Sequence, residues 1–235
     1  MEYSSIFKRT EMKYMLSADQ CRKIRNLISD WMQVDKYGET TISNIYYDTP
    51  DSILVRRSIE KPVYKEKLRI RSYGVAKPDS PVFVELKKKF SGIVYKRRVA
   101  MTEAQALSYM NGGLAPSSGQ IISEIDYFKS FYTGLRPAMY ISYDRTAFFA
   151  KNGSDLRITF DRNITYRNWD LSLEKGSYGD SLLGSDQVLM EIKASEALPL
   201  WLVSILSANQ ISKTSFSKYG NAYLNSVCKG ARKYA

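Results

Sequence analysis

Five stretches of the chain have the apolar spacing or the cap signals that are typical of helices. A Ser-x-x-Gln capping box at Ser17 precedes an amphipathic run to about Met32, and Thr102 opens a second box before a short helix that we expect to end at 111–113. Further helices are predicted over 121–132, from about Ser195, and from about Ser217 towards Lys229.

Between these helices, apolar and polar residues alternate with the period of two that is typical of strands. Strands are predicted over 42–47, 67–71, 82–88, 94–101, 139–149, 156–161 and 188–193. Ser91-Gly92 and Asn152-Gly153 each lie between two of these strands, which predicts two hairpins. No repeat or linker interrupts the pattern, so we expect one α+β domain over 1–235 in which antiparallel strands dominate.

The polar faces of these strands are dominated by Lys and Arg. Residues two apart in a strand share a face, so Lys67, Arg69 and Arg71 lie opposite Leu68 and Ile70. The same rule assigns to polar faces Glu85 and Lys87, Lys96 and Arg98, Tyr143 and Arg145, Arg157, Thr159 and Asp161, and Glu191 and Lys193.

Two interpretations of these faces stay open at this point. A half-buried sheet could turn its polar face to water. Alternatively, a closed barrel could carry a basic interior, since like charges on neighbouring strands cost free energy unless an anion lies among them. About eight strands leave an interior wide enough for side chains and one small ligand.

The composition narrows the chemistry. Thirty-five Lys and Arg against twenty-four Asp and Glu give a formal net charge of +11, which attracts polyanions. With no histidine, a Ser-His-Asp hydrolase, a histidine base and a His-ligated zinc site are excluded. Cys21 and Cys228 are far apart in the sequence, which favours a reducing compartment over a disulfide scaffold. No segment is long and apolar enough to cross a bilayer. A cytoplasmic location is therefore expected.

Arginine binds phosphate oxygens bidentately and lysine supplies a compact charge, so rows of both suit a chain of phosphates. Glu191 is one of the few acids on these faces. It could hold a phosphate-bound divalent cation, or it could form an internal salt bridge with Lys193 or an arginine.

Eight short motifs occur in an order that points to a known family. They are Arg9-Thr-Glu11-Met-Lys13-Tyr14, Ile45-Tyr-Tyr-Asp48, Lys67-Leu-Arg69-Ile-Arg71, Val84-Glu85-Leu-Lys87, Tyr143-Asp-Arg145-Thr-Ala-Phe148, Leu156-Arg157-Ile-Thr-Phe-Asp161, Glu191-Ile-Lys193 and Ser215-Phe-Ser217-Lys218-Tyr219. Together they resemble the VTC domain, the polyphosphate polymerase domain of the vacuolar transporter chaperone family, in its stand-alone bacterial form. That family belongs to the triphosphate tunnel metalloenzymes.

The resemblance implies a closed antiparallel eight-stranded barrel over about 1–194 with helices outside, and C-terminal helices over about 195–235. It implies transfer of the γ-phosphoryl group of ATP to inorganic polyphosphate or a pyrophosphate primer, with Mn²⁺ (or Mg²⁺) bound at Glu191. The implied catalytic residues are Arg69, Arg71, Lys87, Arg145 and Arg157, and the implied phosphate-binding residues are Lys13, Lys96, Arg98, Tyr143, Lys193, Ser217 and Lys218. Ser217 and Lys218 begin the last helix, and a helix N-terminus favours anions.

Two residues depart from the family pattern. Arg9 stands where related hydrolases have the first Glu of a Glu-x-Glu-x-Lys motif, and Ser215 stands where the polymerase form has a Lys, with Lys213 nearby. The first departure favours a polymerase or a binder over a hydrolase. The alternatives to a polymerase are a metal-dependent triphosphate hydrolase and a non-catalytic polyphosphate or nucleotide sensor. No specific nucleic acid is expected as a partner, because no recognition helix is evident, and coupled translocation would need an unidentified membrane partner.

Overall fold

The structure, a computed structural model, describes residues 10–60, 62–91 and 93–232. Ten strands and six helices lie within these ranges. The strands are β1 (Thr10–Ser17), β2 (Met32–Asp48), β3 (Tyr64–Tyr73), β4 (Pro81–Phe90), β5 (Ile93–Thr102), β6 (Arg136–Ala150), β7 (Arg157–Arg167), β8 (Asp180–Ser181), β9 (Gln187–Ala194) and β10 (Lys213–Thr214). The helices are α1 (Ala18–Leu27), α2 (Ile53–Ile59), α3 (Glu103–Met110), α4 (Gln120–Phe131), α5 (Leu200–Ala208) and α6 (Lys218–Arg232).

The strands form one sheet in the order β10-β1-β9-β7-β6-β2-β3-β4-β5, with β8 paired to β7. The predicted α+β class and the dominance of antiparallel strands are confirmed. The closed eight-stranded barrel is not confirmed, because the sheet has ten strands and no pairing within the described residues joins β10 to β5. Two of the ten strands, β8 and β10, are two residues long, a length at which alternation cannot be read from a sequence.

The chain divides into two compact units. The first unit contains the described residues up to Thr40 together with Tyr143–Ile164 and Leu183–Phe216. Its core is built by one face of β1, β7 and β9 against α1 and α5, with Ile24, Ile158, Met190, Ile192 and Leu202 fully buried. The period of two therefore turns the intervening polar residues of these strands to the other face.

The second unit contains Thr41–Ser142, Thr165–Leu182 and the described residues from Ser217 onward. Its core packs Leu68 and Ile70 of β3 and Val84 and Leu86 of β4 against α3 and α4. The basic positions of these strands lie on the opposite face. The alternation read from the sequence is confirmed in β3 and β4.

Both predicted capping boxes are present. Ser17 Oγ accepts from the Gln20 amide at 3.1 Å while the Gln20 side chain accepts from the Ser17 amide at 3.0 Å, and Thr102 forms the same pair with Gln105. These reciprocal bonds satisfy amides that a helix start leaves without partners. The two helix starts could be located correctly because their determinants are local.

Some element bounds differ from the prediction. Helix α1 ends at Leu27, because β2 begins at Met32 after a turn, and α5 begins at Leu200 instead of near Ser195. Pro199 explains the later start, because the residue before a proline is disfavoured in helical conformation. Helix α2 was not predicted, since its amides at Leu54 and Val55 are held by the carboxylate of Asp48. Gly92 of the predicted Ser91-Gly92 turn lies outside the described residues.

Candidate functional site

In the first unit, strand pairing brings Lys13 of β1, Glu191 of β9 and Thr159 of β7 into one row across three strands. The Lys13 ammonium lies 3.5 Å from one carboxylate oxygen of Glu191 and donates to the Phe216 carbonyl at 2.8 Å. Glu191 is 6% exposed. Lys13 and Glu191, two residues of the predicted site, are therefore neighbours.

Arg145 of β6 lies against the other side of Glu191. Its guanidinium binds the fully buried carboxylate of Asp161 in bidentate geometry, at 2.6 and 2.7 Å, and lies 3.5 Å from Glu191. Burial alone would lower the pKa of Arg145, but the charge of Asp161 outweighs it and raises that pKa well above its usual range. The guanidinium also lies 5.0 Å from the ring of Tyr143. We call Lys13, Tyr143, Arg145, Asp161 and Glu191 the first-unit cluster.

Arg157 and Lys193 occupy the neighbouring row of the same strands, where they are paired in register and Lys193 is also paired with Glu11. The Arg157 side chain is about half exposed and lies 3.6 Å from the carboxylate of Asp35. No contact with Glu191 is seen for Arg157 within the described part of the chain. Arg157 and Lys193 are therefore predicted site residues that lie one row away from Lys13 and Glu191 on the same face.

In the second unit, a single buried carboxylate gathers four cations. Glu85 of β4 is 2% exposed, and its oxygens lie 2.7 Å from Arg69, 2.7 Å from Lys96, 3.5 Å from Arg98 and 3.7 Å from Arg71. Burial would raise the pKa of Glu85, but the charges of Arg69, Arg71 and Lys96 outweigh it and hold the pKa well below its ordinary value. Glu85 therefore stays ionised at neutral pH.

Next to this carboxylate, three lysines lie side by side. The register of β3, β4 and β5 places Lys67 beside Lys87 and Lys87 beside Lys96. Like charges directly opposite one another across strands are destabilising. We call Lys67, Arg69, Arg71, Glu85, Lys87, Lys96 and Arg98 the second-unit cluster; it combines six cations with one carboxylate.

Several neutral groups hold these cations in place. Arg69 donates to the Tyr46 hydroxyl at 2.9 Å, and Arg71 donates to Asn44 Oδ1 at 3.0 Å. The Tyr46 ring stacks on Tyr219 of α6 at 4.6 Å. Such contacts restrict the side-chain rotamers, which lowers the entropy lost on ligand binding.

The start of α6 adjoins the same lysine row. Ser217 Oγ accepts from Lys67 at 3.0 Å and from the Gly220 amide at 3.1 Å, so it caps the helix. Lys218, the first residue of α6, is 8% exposed. The predicted place of Ser217 and Lys218 at the beginning of a helix is confirmed; their contact with phosphate stays a prediction.

The structure adds residues that the sequence interpretation did not assign to the site. Glu85 and Asp161 were recognised only as members of alternating faces and of motifs, Tyr46 only as part of the Ile45-Tyr-Tyr-Asp48 motif, and Asn44 was given no role. Thr159 is also new: its hydroxyl is buried and has no hydrogen-bond partner among the described residues, although it lies beside Glu191. The sequence signal for Glu85, Thr159 and Asp161 was their shared period with known basic positions.

The arrangement of the acidic side chains determines how a metal ion could be held. Within the described ranges, no group of three or more His, Cys, Asp or Glu side chains could hold a metal ion. Magnesium-type cations are, however, often bound by one or two carboxylates together with substrate phosphates. Glu191, a nearly buried carboxylate between two cations, fits that second mode and does not fit an all-protein cage.

The comparisons with known proteins decide the family. Residues 8–227 match the family model of the VTC domain. The chain belongs to the VTC domain family. The resemblance found in the sequence is thereby confirmed over almost the whole chain. No curated protein matches this VTC domain.

Solved structures similar to this VTC domain include a candidate adenylate cyclase of Bacillus halodurans, with 15% identity and a TM-score of 0.56 over 89% of this chain and 95% of that chain. A second is a candidate adenylyl cyclase of Hippeastrum with a dominant triphosphatase activity, with 16% identity and a TM-score of 0.54 over 92% of this chain and 95% of that chain. At these identities the similarity shows a shared fold. In the described parts of the VTC domain, no helix has the length and apolarity needed to span a membrane.

Proposed function

We propose that this VTC domain is a polyphosphate polymerase that transfers the γ-phosphoryl group of ATP to the end of an inorganic polyphosphate chain. The observation that carries the proposal is the second-unit cluster, in which six cations lie on one face of the sheet with a single carboxylate, Glu85, which contacts four of them. Lys67, Lys87 and Lys96 lie side by side in register, and although Lys96 contacts Glu85, like charges placed in this way favour a further anion among them. Their mixture with arginines suits successive phosphates, which need both bidentate and compact cationic contacts.

The comparisons support a triphosphate as the substrate class. The chain belongs to the VTC domain family, and the Hippeastrum protein, which has a similar fold, has a dominant triphosphatase activity. Both findings are in keeping with a triphosphate substrate. The same clusters supply cations without any histidine, which suits phosphoryl transfer because this reaction depends mainly on positioning and charge neutralisation.

Transfer to phosphate is favoured over transfer to water by the choice of side chains. In the first-unit cluster, Arg145 binds the carboxylate of Asp161 in bidentate geometry, which leaves Glu191 as the one candidate metal ligand of this cluster. A two-metal hydrolytic site would need several carboxylates that are available to metal ions. Arg9, which stands where hydrolases have a glutamate, lies outside the described residues, so this part of the reasoning rests on its identity alone.

The proposed chemistry is one in-line displacement. An oxygen of the terminal phosphate of the chain forms a bond to the γ-phosphorus of ATP, and the bond from that phosphorus to the β–γ bridging oxygen breaks, so that ADP leaves with the electron pair. The attacking oxygen is already anionic at neutral pH and requires no general base. Arg69, Arg71 and Lys87 would hold the phosphates and stabilise the charge that develops on the transferring group.

In the first unit, Glu191 would hold a divalent cation, which would neutralise part of the charge of a phosphate group bound there. Lys13 and Arg145 orient the Glu191 carboxylate from two sides, each at 3.5 Å.

The test measures polymer formation by the purified chain with ATP, Mn²⁺ and a pyrophosphate primer, with products resolved on a polyacrylamide gel. Lys87→Ala should lower the rate by about 100-fold or more, the order expected when one group that stabilises the transition state is removed. Lys88→Ala is the matched control, because Lys88 lies next in the same strand but on the opposite face, 3.8 Å from Glu66. It should retain the wild-type rate.

A ladder of polyphosphate with stoichiometric ADP supports the proposal. ADP and orthophosphate without a ladder would identify a hydrolase, and binding of triphosphate without turnover would identify a sensor. Equal activity of the Lys87 and Lys88 variants would show that the lysine row is not the site.

A further inference from the structure

One end of the basic face in the second unit carries two aromatic rings, one of them exposed. In β3 the residues at 67, 69, 71 and 73 share a face, so Tyr73 follows the last arginine on the side that carries the cations. Phe83 of β4 is paired in register with Arg71. The Tyr73 and Phe83 rings meet edge to face at 5.9 Å. An aromatic pair therefore continues the row of cations.

The Arg98 guanidinium lies over both rings, but it is closer to Phe83 than to Tyr73, where its distance from the ring centroid is 5.8 Å. The guanidinium of Arg98 lies 3.3 Å from the centroid of Phe83 and so occupies a face of that ring. Tyr73 is 50% exposed, although its hydroxyl accepts a bond from Arg98 at 3.3 Å. A tyrosine ring held by an arginine yet left half in solvent is available for stacking by a planar ligand group.

The position of Tyr73 relative to the cations suggests which group this is. Tyr73 lies two residues beyond Arg71, about 7 Å along the strand, which leaves room for a sugar between a phosphate at Arg71 and a base at Tyr73. Base–aromatic stacking tolerates any base because each has a π face.

We propose that Tyr73, supported by Phe83 and Arg98, stacks against the base of a nucleoside triphosphate whose phosphates bind the second-unit cluster. This inference rests on the proposed function, since it assumes that the cluster binds phosphates. It adds that the donor is recognised as a nucleotide and not only as a chain of phosphates. The base contributes to affinity, whereas inorganic triphosphate, which has no base, cannot use Tyr73.

The experiment compares two ligands, ATP and inorganic triphosphate, by isothermal titration in EDTA, where no turnover occurs. Tyr73→Ala should raise the Kd for ATP about tenfold, within the range found when one stacking side chain is removed, and should leave the Kd for triphosphate unchanged. Tyr73→Leu, which retains apolar bulk at the strand end, should behave in the same way. Tyr73→Phe keeps the ring and should bind ATP as the wild type does.

Tyr64→Ala is the matched control. Tyr64 lies in the same strand and is 44% exposed, but its even position places it on the opposite face. This variant should bind both ligands normally.

Each contrary outcome has a distinct meaning. If the Tyr73 variants weaken ATP and triphosphate by the same factor, the side chain serves the phosphates or the fold, and base stacking is refuted. An unchanged Kd for ATP refutes it as well. If the wild-type protein binds neither ligand, the proposed function fails and the inference fails with it; normal triphosphate binding with no effect of Tyr73 overturns the inference alone.

Discussion

Glu85→Gln is the perturbation that tests the second-unit cluster most directly. The substitution keeps the shape of the side chain and removes its charge, while Arg69, Arg71, Lys96 and Arg98 remain within 4 Å of the site. Removing one partner of a buried ion pair costs about 3–5 kcal/mol, because the other charge stays buried without compensation. At about 2–4 °C per kcal/mol for a chain of this size, the melting temperature should fall by roughly 6–20 °C.

The same reasoning predicts rescue by an anion. A ligand at 100 times its Kd stabilises a protein by about 2.7 kcal/mol. Loss of the Glu85 charge should tighten triphosphate binding, and each tenfold gain in affinity adds about 1.4 kcal/mol. Triphosphate should therefore raise the melting temperature of the variant by more than it raises that of the wild type.

The assay is thermal unfolding in a low-salt buffer without phosphate or sulfate, with and without triphosphate. Glu124→Gln is the control, because Glu124 pairs with Arg97 at 3.1 Å in a partly exposed position, where an ion pair contributes about 1 kcal/mol or less. The reasoning is refuted if Glu85→Gln melts at the same temperature as Glu124→Gln, or if triphosphate stabilises the Glu85 variant less than the wild type.

Two further predictions concern stability. The arginines and Lys96 outweigh the effect of burial and keep the pKa of Glu85 below its ordinary value of 4.5, so the unfolded chain takes up a proton at Glu85 before the folded chain does as the pH falls. The stability that Glu85 provides is therefore full above about pH 5 and declines below it. In urea titrations, the difference in unfolding free energy between wild type and Glu85→Gln should shrink from pH 6 to pH 3. Arg167→Lys should lower the free energy of unfolding by on the order of 3 kcal/mol and speed amide exchange over 168–179. The reason is that the buried guanidinium donates to the carbonyls of Asp170, Ser172, Gly176 and Tyr178, which a lysine cannot all reach. Unchanged amide exchange in this loop would contradict that role.

The parts of the fold that could be predicted are those with local causes. Capping boxes depend on residues three apart, and the faces of β3 and β4 follow from a period of two, so both were identified from the sequence. Helix α2 was missed because its start depends on the buried carboxylate of Asp48, five residues earlier than Ile53, and on the left-handed backbone of Ser52 at φ 58°. Neither feature produces an apolar period.

For the candidate site, the sequence could predict only which residues share one face of a strand. Which charges become neighbours depends on strand register, and a shift of one residue would exchange the two faces. Register pairs Lys67 with Lys87 but also places Glu85 between Arg69 and Arg98. The expected crowding of like charges is thus present in one row and relieved in the next. Glu191 pairs with Lys13 and Arg145, and its partner Lys13 comes from β1, nearly 180 residues away in the chain.

The two clusters differ in charge balance, and this difference bears on how each would treat a phosphate chain. In the first-unit cluster Asp161 and Glu191 match Lys13 and Arg145, so the cluster is close to neutral by itself. A triphosphate gains little there unless a divalent cation accompanies it, which agrees with the role that we propose for Glu191. The second-unit cluster carries an excess of cations over its single carboxylate, so it attracts phosphates without a metal. We infer that affinity for the polyanion arises mainly in the second unit and that dependence on the metal arises in the first.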